Sequence, residues 1–343
     1  MTPGGHAAAS LCARQPTRGE TRTRLYRNGS LEVEGFAIAE ISEFLRQEGV
    51  TIWLDLHDPD DAELSVLTEE FGLHPLAVED AVQRHERPKL DRYPDHLFLS
   101  AYAVRLDEAT AELVSSELAA FITHQALITV RKDDGFDVDG LVKRWDDSPD
   151  LVVHGVSYLL HGLLDDIVDS HFAAVQSLDD QIEQLQEDLF AEAGAGIEVQ
   201  RRSFQLRKSL VVLRRVVLPM REVVNSLMRR DIHLLDEEMT HYYQDVYDHV
   251  LRATEWTESL RDLVTTILET RLTIQGNRLN EIMKKVTSWA AIIAVPTAIT
   301  GYYGMNVHTW PHADTLVGGI FALALIVVLS VALYVAFRRR DWL

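Results

Sequence analysis

The fold is decided by residues 284–315, which read KKVTSWAAIIAVPTAITGYYGMNVHTWPHADT. Within this stretch, residues 286–303 include no charged side chain, and neither do residues 316–337, which follow it directly. Each uncharged run is close to the ~20 residues that a helix needs to cross the hydrocarbon core of a bilayer. The sequence therefore predicts a first membrane span at 286–303, a loop at 304–315 and a second span at 316–337.

Basic residues flank the two runs on one side only. Lys284 and Lys285 precede the first run, the tail 338–343 begins with three arginines, and the loop between the runs has neither Lys nor Arg. An excess of Lys and Arg marks the cytoplasmic ends of membrane helices. We therefore predict a multi-pass protein of the cell's inner (plasma) membrane, with both termini in the cytoplasm and the loop outside.

Nearly all of the acidic residues lie before the spans, in a chain of 343 residues with a net charge of −20. Such acidity argues against nucleic acid as a partner, because nucleic acid requires a basic surface, and it is compatible with cations. Residues 1–24 lack the continuous apolar core of a signal peptide and predict a disordered leader. Cys12 is the only cysteine, so no disulfide can form within the chain, which fits a reducing compartment.

Residues 25–150 predict a cytoplasmic α/β domain. Runs rich in β-branched and aromatic residues indicate strands, and short helical patterns lie between them. The predicted strands are 51–57, 96–104, 116–123 and 126–130, and the helical patterns are 60–71 and 75–83.

Residues 151–285 predict a helical stalk domain. Apolar residues recur at helical spacing over 156–190 and over 197–228, where Pro219 is expected to bend the second helix. A third helical pattern begins near Asp236 and meets no proline before Pro296, so it continues into the first span. About 65 residues of helix would extend ~100 Å, which fits a stalk that enters the bilayer.

Small and polar residues recur on one face of the first span and of the turns before it. Such a face packs against other helices or lines a pore. Two helices cannot enclose a pore, so the second alternative requires an oligomer. The face consists of Asn280, Met283, Thr287, Ala290, Ala294, Thr297 and Gly301.

The segment Tyr303-Gly304-Met305-Asn306 resembles the Gly-Met-Asn motif of the CorA family of magnesium and cobalt transport channels. Its setting resembles the family too, since it ends the first span and is followed by a short loop, a last span and a basic tail. Residues 243–249 and 280–284 resemble the family's stalk, and Glu79-Asp80 followed by Arg87-Pro-Lys89 resembles its N-terminal domain. The resemblance covers nearly the whole chain after the leader. It implies a homopentamer in which each subunit has an α/β cytoplasmic domain, long stalk helices and two C-terminal transmembrane helices.

The resemblance also implies that five copies of Gly304, Met305 and Asn306 form a selectivity filter at the outer mouth of a pore. Magnesium gives up its water reluctantly, so a filter of neutral oxygens suits the hydrated ion. The amide of Asn306 supplies such an oxygen, and Gly304 allows the backbone to turn. The alternative role of Asn306, as a cap at the end of a helix, is compatible with this one.

The small and polar face would then line the pore, with Met283 and Val286 as candidates for a hydrophobic gate. The sequence departs from familiar family members in two respects. A position that is bulky in those members corresponds to Ala294, and the external loop has a single acidic residue, Asp314, beside two histidines.

For regulation, the resemblance implies an intracellular magnesium sensor between subunits. The matching residues are Glu79, Asp80 and Asp245, with Asp165 as a further candidate. Asp165 and Asp169 share one helix face at a spacing of four residues. Solvated or salt-bridged carboxylates are the alternative, since Arg87 and Lys89 are close in sequence to Asp80.

The leading function is passive uptake of Mg²⁺ driven by the membrane potential, with Co²⁺ or Ni²⁺ as other cargo. Mg²⁺ is expected to be both the transported ion and the ion that regulates transport. His308 and His312 keep a zinc transporter of the same superfamily open, because imidazole suits zinc. A membrane-anchored coiled-coil sensor without transport is a third alternative. No organic cofactor is expected. The sequence has no nucleophile elbow, His-Glu-x-x-His segment or P-loop, so neither an enzyme nor an ATP-driven pump is predicted.

Overall fold

The computed structural model describes residues 21–83, 87–190, 196–229, 236–305 and 316–343. The chain divides into two compact units, one up to Thr265 and one from Thr266 to the end. The described residues form seven strands and eight α-helices. An α/β domain, long helices and a last apolar helix follow one another, which confirms the predicted fold class.

A mixed seven-stranded sheet forms the centre of the first unit, with the strand order β2-β1-β3-β7-β6-β5-β4. Neighbouring strands are antiparallel except for β3 and β7, which are parallel. The four predicted strands are confirmed as β3, β5, β6 and β7. The strands are β1 Thr21–Arg27, β2 Ser30–Glu34, β3 Val50–His57, β4 Lys89–Arg92, β5 Leu97–Asp107, β6 Glu112–Ile122 and β7 Ala126–Arg131.

Strand β1 starts within the segment that the sequence assigns to the leader. Thr23 and Arg24 are buried there. The Arg24 guanidinium pairs with Glu34 at 3.0 Å and with Asp146 at 2.8 Å. These partners explain why the sequence predicted a disordered leader where the structure has a strand. An arginine in a Thr/Arg-rich segment gives no sign of burial until the carboxylates that pair with it are known. The remainder of the predicted leader, 1–20, lies outside the described residues.

Four short helices complete the α/β part, and the predicted helical patterns at 60–71 and 75–83 are confirmed by two of them. Helix α2, Asp61–Phe71, starts at a capping box. The Asp60 side chain accepts a hydrogen bond from the Glu63 amide, and the Glu63 side chain accepts one from the Asp60 amide. It ends at Gly72, whose φ of 65° is the left-handed conformation that favours glycine. The four are α1 Ile41–Leu45, α2 Asp61–Phe71, α3 Pro75–Val82 and α4 Val138–Asp146.

Two separate hydrophobic cores cover the two faces of the sheet. Alternate residues of the strands point to opposite faces, so Phe98 and Ile128 join one core while Leu97 and Leu127 join the other. The first core includes residues of α1, α2 and α3. The second includes residues of α4 and of the long helices that follow. Helix α3 and the long helices therefore lie on opposite faces of the sheet.

Three long helices follow, as the sequence predicts: α5 Val156–Phe190, α6 Gly196–Leu227 and α7 Thr240–Tyr303. Pro219 lies inside α6 and Pro296 inside α7. The start of α7 is preceded by Asp236, whose side chain accepts from the Glu238 amide. Residues of α5, α6 and the first turns of α7 share one core with the sheet. The proposed boundary between α/β domain and stalk at residue 150 stays a prediction.

The second unit contains the rest of α7 and the last helix, α8 Leu316–Arg339. Helices α7 and α8 are both long and apolar enough to cross a membrane. Helix α7 ends at Tyr303, directly before Gly304-Met305, so the residues of the predicted filter follow the end of the helix.

Candidate ion pathway and metal-binding residues

The predicted pore face of α7 is exposed along its whole length in the single chain. Met283 is 62% exposed and Val286 is 59% exposed, values that a packed core residue does not reach. Residues 286–303 add no charge to this surface. An exposed face of small and polar side chains is free to meet other subunits or an ion path. The exposed residues are Asn280, Met283, Val286, Thr287, Ala290, Ala294, Thr297 and Gly301.

Hydroxyl groups on this helix donate their protons inward to the helix backbone. Thr297 Oγ1 donates to the Ile293 carbonyl at 3.0 Å, and Thr300 Oγ1 donates to the Pro296 carbonyl at 2.8 Å. A hydroxyl that uses its proton in this way keeps its oxygen lone pairs for another partner. Thr297 therefore offers a neutral oxygen acceptor on this face, which suits a hydrated cation.

The end of α7 is closed by a tight backbone turn at Gly304. Its amide donates to the Thr300 carbonyl at 2.9 Å, and the Met305 amide donates to the Tyr302 carbonyl at 3.4 Å. A Cβ atom at position 304 would lie 3.2 Å from the Thr300 oxygen, a close approach that glycine avoids. Met305 is exposed. Asn306, together with His308, His312 and Asp314, lies outside the described residues.

Glu79 and Asp80 lie at the exposed end of α3, where each has a partner. Gln83 Nε2 donates to Glu79 Oε1 at 2.8 Å. Lys89 Nζ lies 2.6 Å from Asp80 Oδ2 and 2.8 Å from Asp91 Oδ2. In the single chain, Asp80 therefore forms a salt bridge with Lys89, as the alternative to a sensor role predicted.

A second acidic group lies between α5 and α7, and it includes Asp165. Ligand atoms of Asp165, Asp169 and His249 all lie within 4.8 Å of one another, close enough to hold one metal ion. Asp245 is one turn before His249, and its carboxylate lies 3.9 Å from His249 Nε2. We call Asp165, Asp169 and His249 the α5–α7 cluster. Two carboxylates and an imidazole could hold Mg²⁺ weakly and suit Co²⁺, Ni²⁺ or Zn²⁺ better.

Arg144 from α4 forms ion pairs with both carboxylates of this cluster. Its guanidinium pairs with Asp165, with Asp166 at 3.2 Å and with Asp169 at 2.9 Å. Burial lowers the pKa of Arg144, but the nearby carboxylates outweigh burial and raise it. Burial also raises the pKa of Asp166 and lowers that of His161 nearby. A metal ion must therefore compete with a permanently charged side chain.

The fold does not bring Glu79 and Asp80 together with Asp165 and Asp245 within one chain, although Asp165 and Asp245 both lie near His249. Glu79 and Asp80 belong to α3 on one face of the sheet, whereas Asp165 and Asp245 belong to helices on the other. Sequence reasoning missed Arg144 as a partner and His249 as a ligand. The spacing of four residues between Asp245 and His249 could have indicated the histidine. No local pattern could have indicated Arg144, which reaches α5 only through tertiary structure.

An α/β unit followed by two helices that are long and apolar enough to cross a membrane, one of them with an uncharged, partly polar face, is the arrangement expected of a membrane transport protein. The family model described as "CorA-like Mg2+ transporter protein" matches residues 48–339. The chain belongs to this family of divalent-cation transporters.

Three further comparisons show what the chain is similar to. A cobalt/magnesium transport protein CorA from Thermotoga maritima is 30% identical over 327 residues, which cover 91% of this chain and 92% of that protein. The complete structure of a CorA magnesium transporter from Methanocaldococcus jannaschii superposes with a TM-score of 0.77 at 24% identity, covering 94% of this chain and 98% of that one. A zinc transport protein ZntB from Yersinia pseudotuberculosis is 23% identical, covering 84% of this chain and 86% of that protein.

Proposed function

We propose that the protein is a passive channel through which the membrane potential drives Mg²⁺ into the cell, with Co²⁺ or Ni²⁺ as other cargo. The observation that carries this proposal is the exposed, uncharged face of α7 that leads to Gly304. A ring of carboxylates would hold a divalent ion strongly, whereas neutral oxygens let it pass. The potential supplies ~2.3 kcal/mol per charge per 100 mV, and so about twice that for a divalent ion.

The selectivity filter in this proposal consists of Gly304, Met305 and Asn306 from each subunit. The turn at Gly304 ends the helix, and the amide oxygen of Asn306 would meet the hydrated ion at the outer mouth. Because the cargo keeps much of its water, the filter recognises the hydration shell by hydrogen bonding and needs no charged ligand.

The proposed assembly is a homopentamer in the inner membrane with both termini in the cytoplasm. A single α7 cannot enclose a path, so the exposed faces of several copies must surround one, and the resemblance to the family implies five. Lys284 and Lys285 precede the first span, and the basic tail follows the second. In a two-span topology these two positions lie on the same side of the membrane, which supports the orientation.

Regulation by internal Mg²⁺ is proposed to occur between subunits. The α3 acids of one chain and Asp245 with Asp165 of its neighbour would repel one another when they come together, and a bound divalent ion would remove that repulsion. Regulation requires that the ion bind the closed state better than the open state. The position of the two groups on opposite faces of the sheet supports an arrangement between chains, since one chain alone cannot close the site.

Purified protein in liposomes provides the test. With an inside-negative potential, wild-type protein should take up Mg²⁺, and Asn306→Ala should lower the rate at least about tenfold if one oxygen ring contributes 1.4 kcal/mol or more. The matched control is Asn225→Ala, an exposed asparagine on α6, which should transport normally. Absence of flux in the wild type would favour the non-transporting sensor instead. Normal flux and selectivity in Asn306→Ala would remove Asn306 from the filter.

Zinc transport is the second candidate. It is supported by His308 and His312 in the external loop and by the relationship to a zinc transport protein. The double change His308→Ala with His312→Ala should leave Mg²⁺ uptake unchanged under the leading proposal. Selective loss of Zn²⁺ uptake in this variant would favour the zinc transporter.

A further inference from the structure

The carboxyl ends of the two parallel strands, β3 and β7, meet at one edge of the sheet. Their last paired residues are His57 and Arg131, and the Asp58 amide donates to the Arg131 carbonyl at 2.8 Å. Helix α2 follows β3 and α4 follows β7, and the two helices pack on opposite faces of the sheet. In α/β proteins, ligands bind at such positions, outside the ends of parallel strands whose connections diverge.

His57 is buried at this edge, and its ring nitrogens are not satisfied by hydrogen bonds. The residue is 7% exposed, and neither Nδ1 nor Nε2 has a hydrogen-bond partner among the described residues. Asp134 Oδ1, from the loop after β7, nevertheless lies 3.1 Å from His57 Nε2. The distance fits an ion pair, but the direction does not fit a hydrogen bond. Because a buried polar group without a partner costs free energy, a ring held in this way points to a bound ligand.

The spacing of the two atoms fits two ligands of one metal ion. Ligand nitrogen and oxygen atoms lie about 2.1 Å from Zn²⁺ and similar ions, so two of them at a right angle are about 3.0 Å apart. The distance of 3.1 Å between His57 Nε2 and Asp134 Oδ1 agrees with that value. Two lone-pair atoms this close need a cation between them, and a proton would require the hydrogen-bond direction that is missing here.

The charges around this pair favour a cation. Asp58 and Asp133 add exposed carboxylates in the two loops that follow β3 and β7. The two nearby cations, Arg131 and Lys132, already pair with buried carboxylates at 2.7 Å and 3.0 Å. The side chain of Asp134 is 60% exposed, so an ion can reach the buried imidazole from solvent.

We propose that His57 and Asp134 bind one divalent ion of the Co²⁺, Ni²⁺ and Zn²⁺ class, with water completing its coordination. An imidazole together with a carboxylate suits these ions, whereas Mg²⁺ prefers oxygen ligands. The ion would join the end of β3 to the loop after β7 within the α/β domain. The site shares no residue with the α5–α7 cluster or with the proposed ion pathway, and it does not rest on the proposed function.

The test is calorimetric titration of Co²⁺ into full-length protein in detergent, with millimolar Mg²⁺ present to occupy sites made of oxygen ligands alone. Wild-type protein should bind one more Co²⁺ per chain than His57→Gln does. The matched control is His124→Gln, at an exposed histidine between β6 and β7, which should titrate as the wild type does. Because the α5–α7 cluster could bind Co²⁺ as well, His249→Gln is titrated with and without His57→Gln, and only the single variant should keep the site.

Variants of the exposed ligand, Asp134, test the site without changing the core. Asp134→Asn should weaken Co²⁺ binding at least about tenfold, and Asp134→Glu should restore part of the affinity because it keeps a carboxylate. Co²⁺ should raise the melting temperature of the wild type more than that of His57→Gln, since an ion that only the folded chain binds stabilises the fold. Asn306→Ala should bind Co²⁺ at this site as the wild type does even if it conducts no ions, so that failure of the channel proposal leaves this one testable.

Three outcomes would overturn the proposal. Equal numbers of bound Co²⁺ in the wild type and in His57→Gln would exclude His57 as a ligand. A lower melting temperature of Asp134→Asn with unchanged Co²⁺ binding would show that the two side chains form only an ion pair. Displacement of the Co²⁺ by millimolar Mg²⁺ would show a general attraction of cations to the acidic loops, without a site for this class of ion.

Discussion

Lys89 Nζ lies 2.6 Å from Asp80 Oδ2, so the carboxylate assigned to the proposed sensor already has a cation beside it. Asp91 flanks the same ammonium group at 2.8 Å. Burial lowers the pKa of Lys89, but the hydrogen bonds to Asp80 and Asp91 outweigh burial and raise it. Lys89 therefore stays charged at physiological pH, and a divalent ion must share or replace it to reach Asp80.

If the proposed sensor operates, replacing Lys89 should make transport more sensitive to inhibition by internal Mg²⁺. In Lys89→Gln, Asp80 loses a competing cation, so the Mg²⁺ concentration that inhibits transport should fall. Partly exposed pairs contribute about 1 kcal/mol or less, which limits the change to about fivefold. The measurement is Mg²⁺ uptake into liposomes at increasing internal Mg²⁺. Lys208→Gln removes an exposed partner of Glu112 and serves as the control. An unchanged inhibition curve in Lys89→Gln would show that Lys89 does not compete.

Removing one partner of the buried Asp55–Arg131 pair should destabilise the protein strongly. Asp55 is fully buried on β3 and accepts from Arg131 Nη2 at 2.7 Å and from Thr129 Oγ1 at 2.6 Å. Asp55→Asn keeps the volume but leaves the Arg131 charge buried without its partner, which costs about 3–5 kcal/mol. Thermal unfolding in detergent, followed by circular dichroism, measures the loss. Glu112→Gln, at an exposed pair, should change the melting temperature little, and similar small changes in both variants would contradict the prediction.

His171 should make the fold less stable as the pH falls. It is fully buried on α5, its Nε2 lies 2.7 Å from the Tyr102 carbonyl, and burial lowers its pKa to about 4. Between its ordinary value of about 6.5 and pH 4 the unfolded chain binds a proton that the folded chain does not. The contribution of His171 to the free energy of unfolding is therefore fully present above about pH 6.5, and about 3 kcal/mol of it is lost as the pH falls to 4.

His171→Gln removes this titration and can still donate to Tyr102. Its melting temperature should therefore depend less on pH between 6.5 and 4 than that of the wild type. His241→Gln, at an exposed position of α7, is the control and should follow the wild type. Identical pH profiles for wild type and His171→Gln would show that His171 does not carry the effect.

Gly304 should tolerate a methyl group poorly. The added Cβ would lie 3.2 Å from the Thr300 oxygen, so Gly304→Ala must shift the end of α7 by a few tenths of an ångström. Because Met305 and Asn306 follow directly, Mg²⁺ flux should fall several-fold while the oligomer still assembles, since positioning errors at a site lower rates steeply. Gly319→Ala, where a Cβ would meet nothing within 4 Å, should transport normally. Flux and size-exclusion profiles of both variants check this, and equal flux would remove Gly304 from the filter turn.

The elements of this fold were largely predictable because their signals are local. Alternation and β-branched residues indicated the strand that includes Trp53, and helical spacing with no proline indicated the continuous run into the first span. Strand β1 was not predicted, and its first residues were assigned to the leader, because its burial depends on Arg24, a residue that ordinarily lies at the surface and is held here by Asp146, far along the chain.

The candidate site was predictable only in part, for the same reason. The sequence places Asp165 and Asp169 on one face of a helix, but it does not indicate that Arg144 pairs with both or that His249 joins them from α7. Asp80 and Lys89 are nine residues apart and meet because β4 pairs with β5 beside α3. Distances between elements follow from packing, which no short pattern encodes.

The placement of Asp80 and Asp245 on opposite faces of the sheet has a genetic consequence. If each sensor is completed by two neighbouring chains, an Asp80→Asn allele damages one edge of a subunit and an Asp245→Asn allele damages the other. Either allele alone would give assemblies without an intact sensor. Cells that express both would form mixed rings in which an undamaged α3 edge sometimes meets an undamaged α7 edge. The two alleles should therefore complement each other, and Mg²⁺-dependent closure should return in proportion to the share of such junctions.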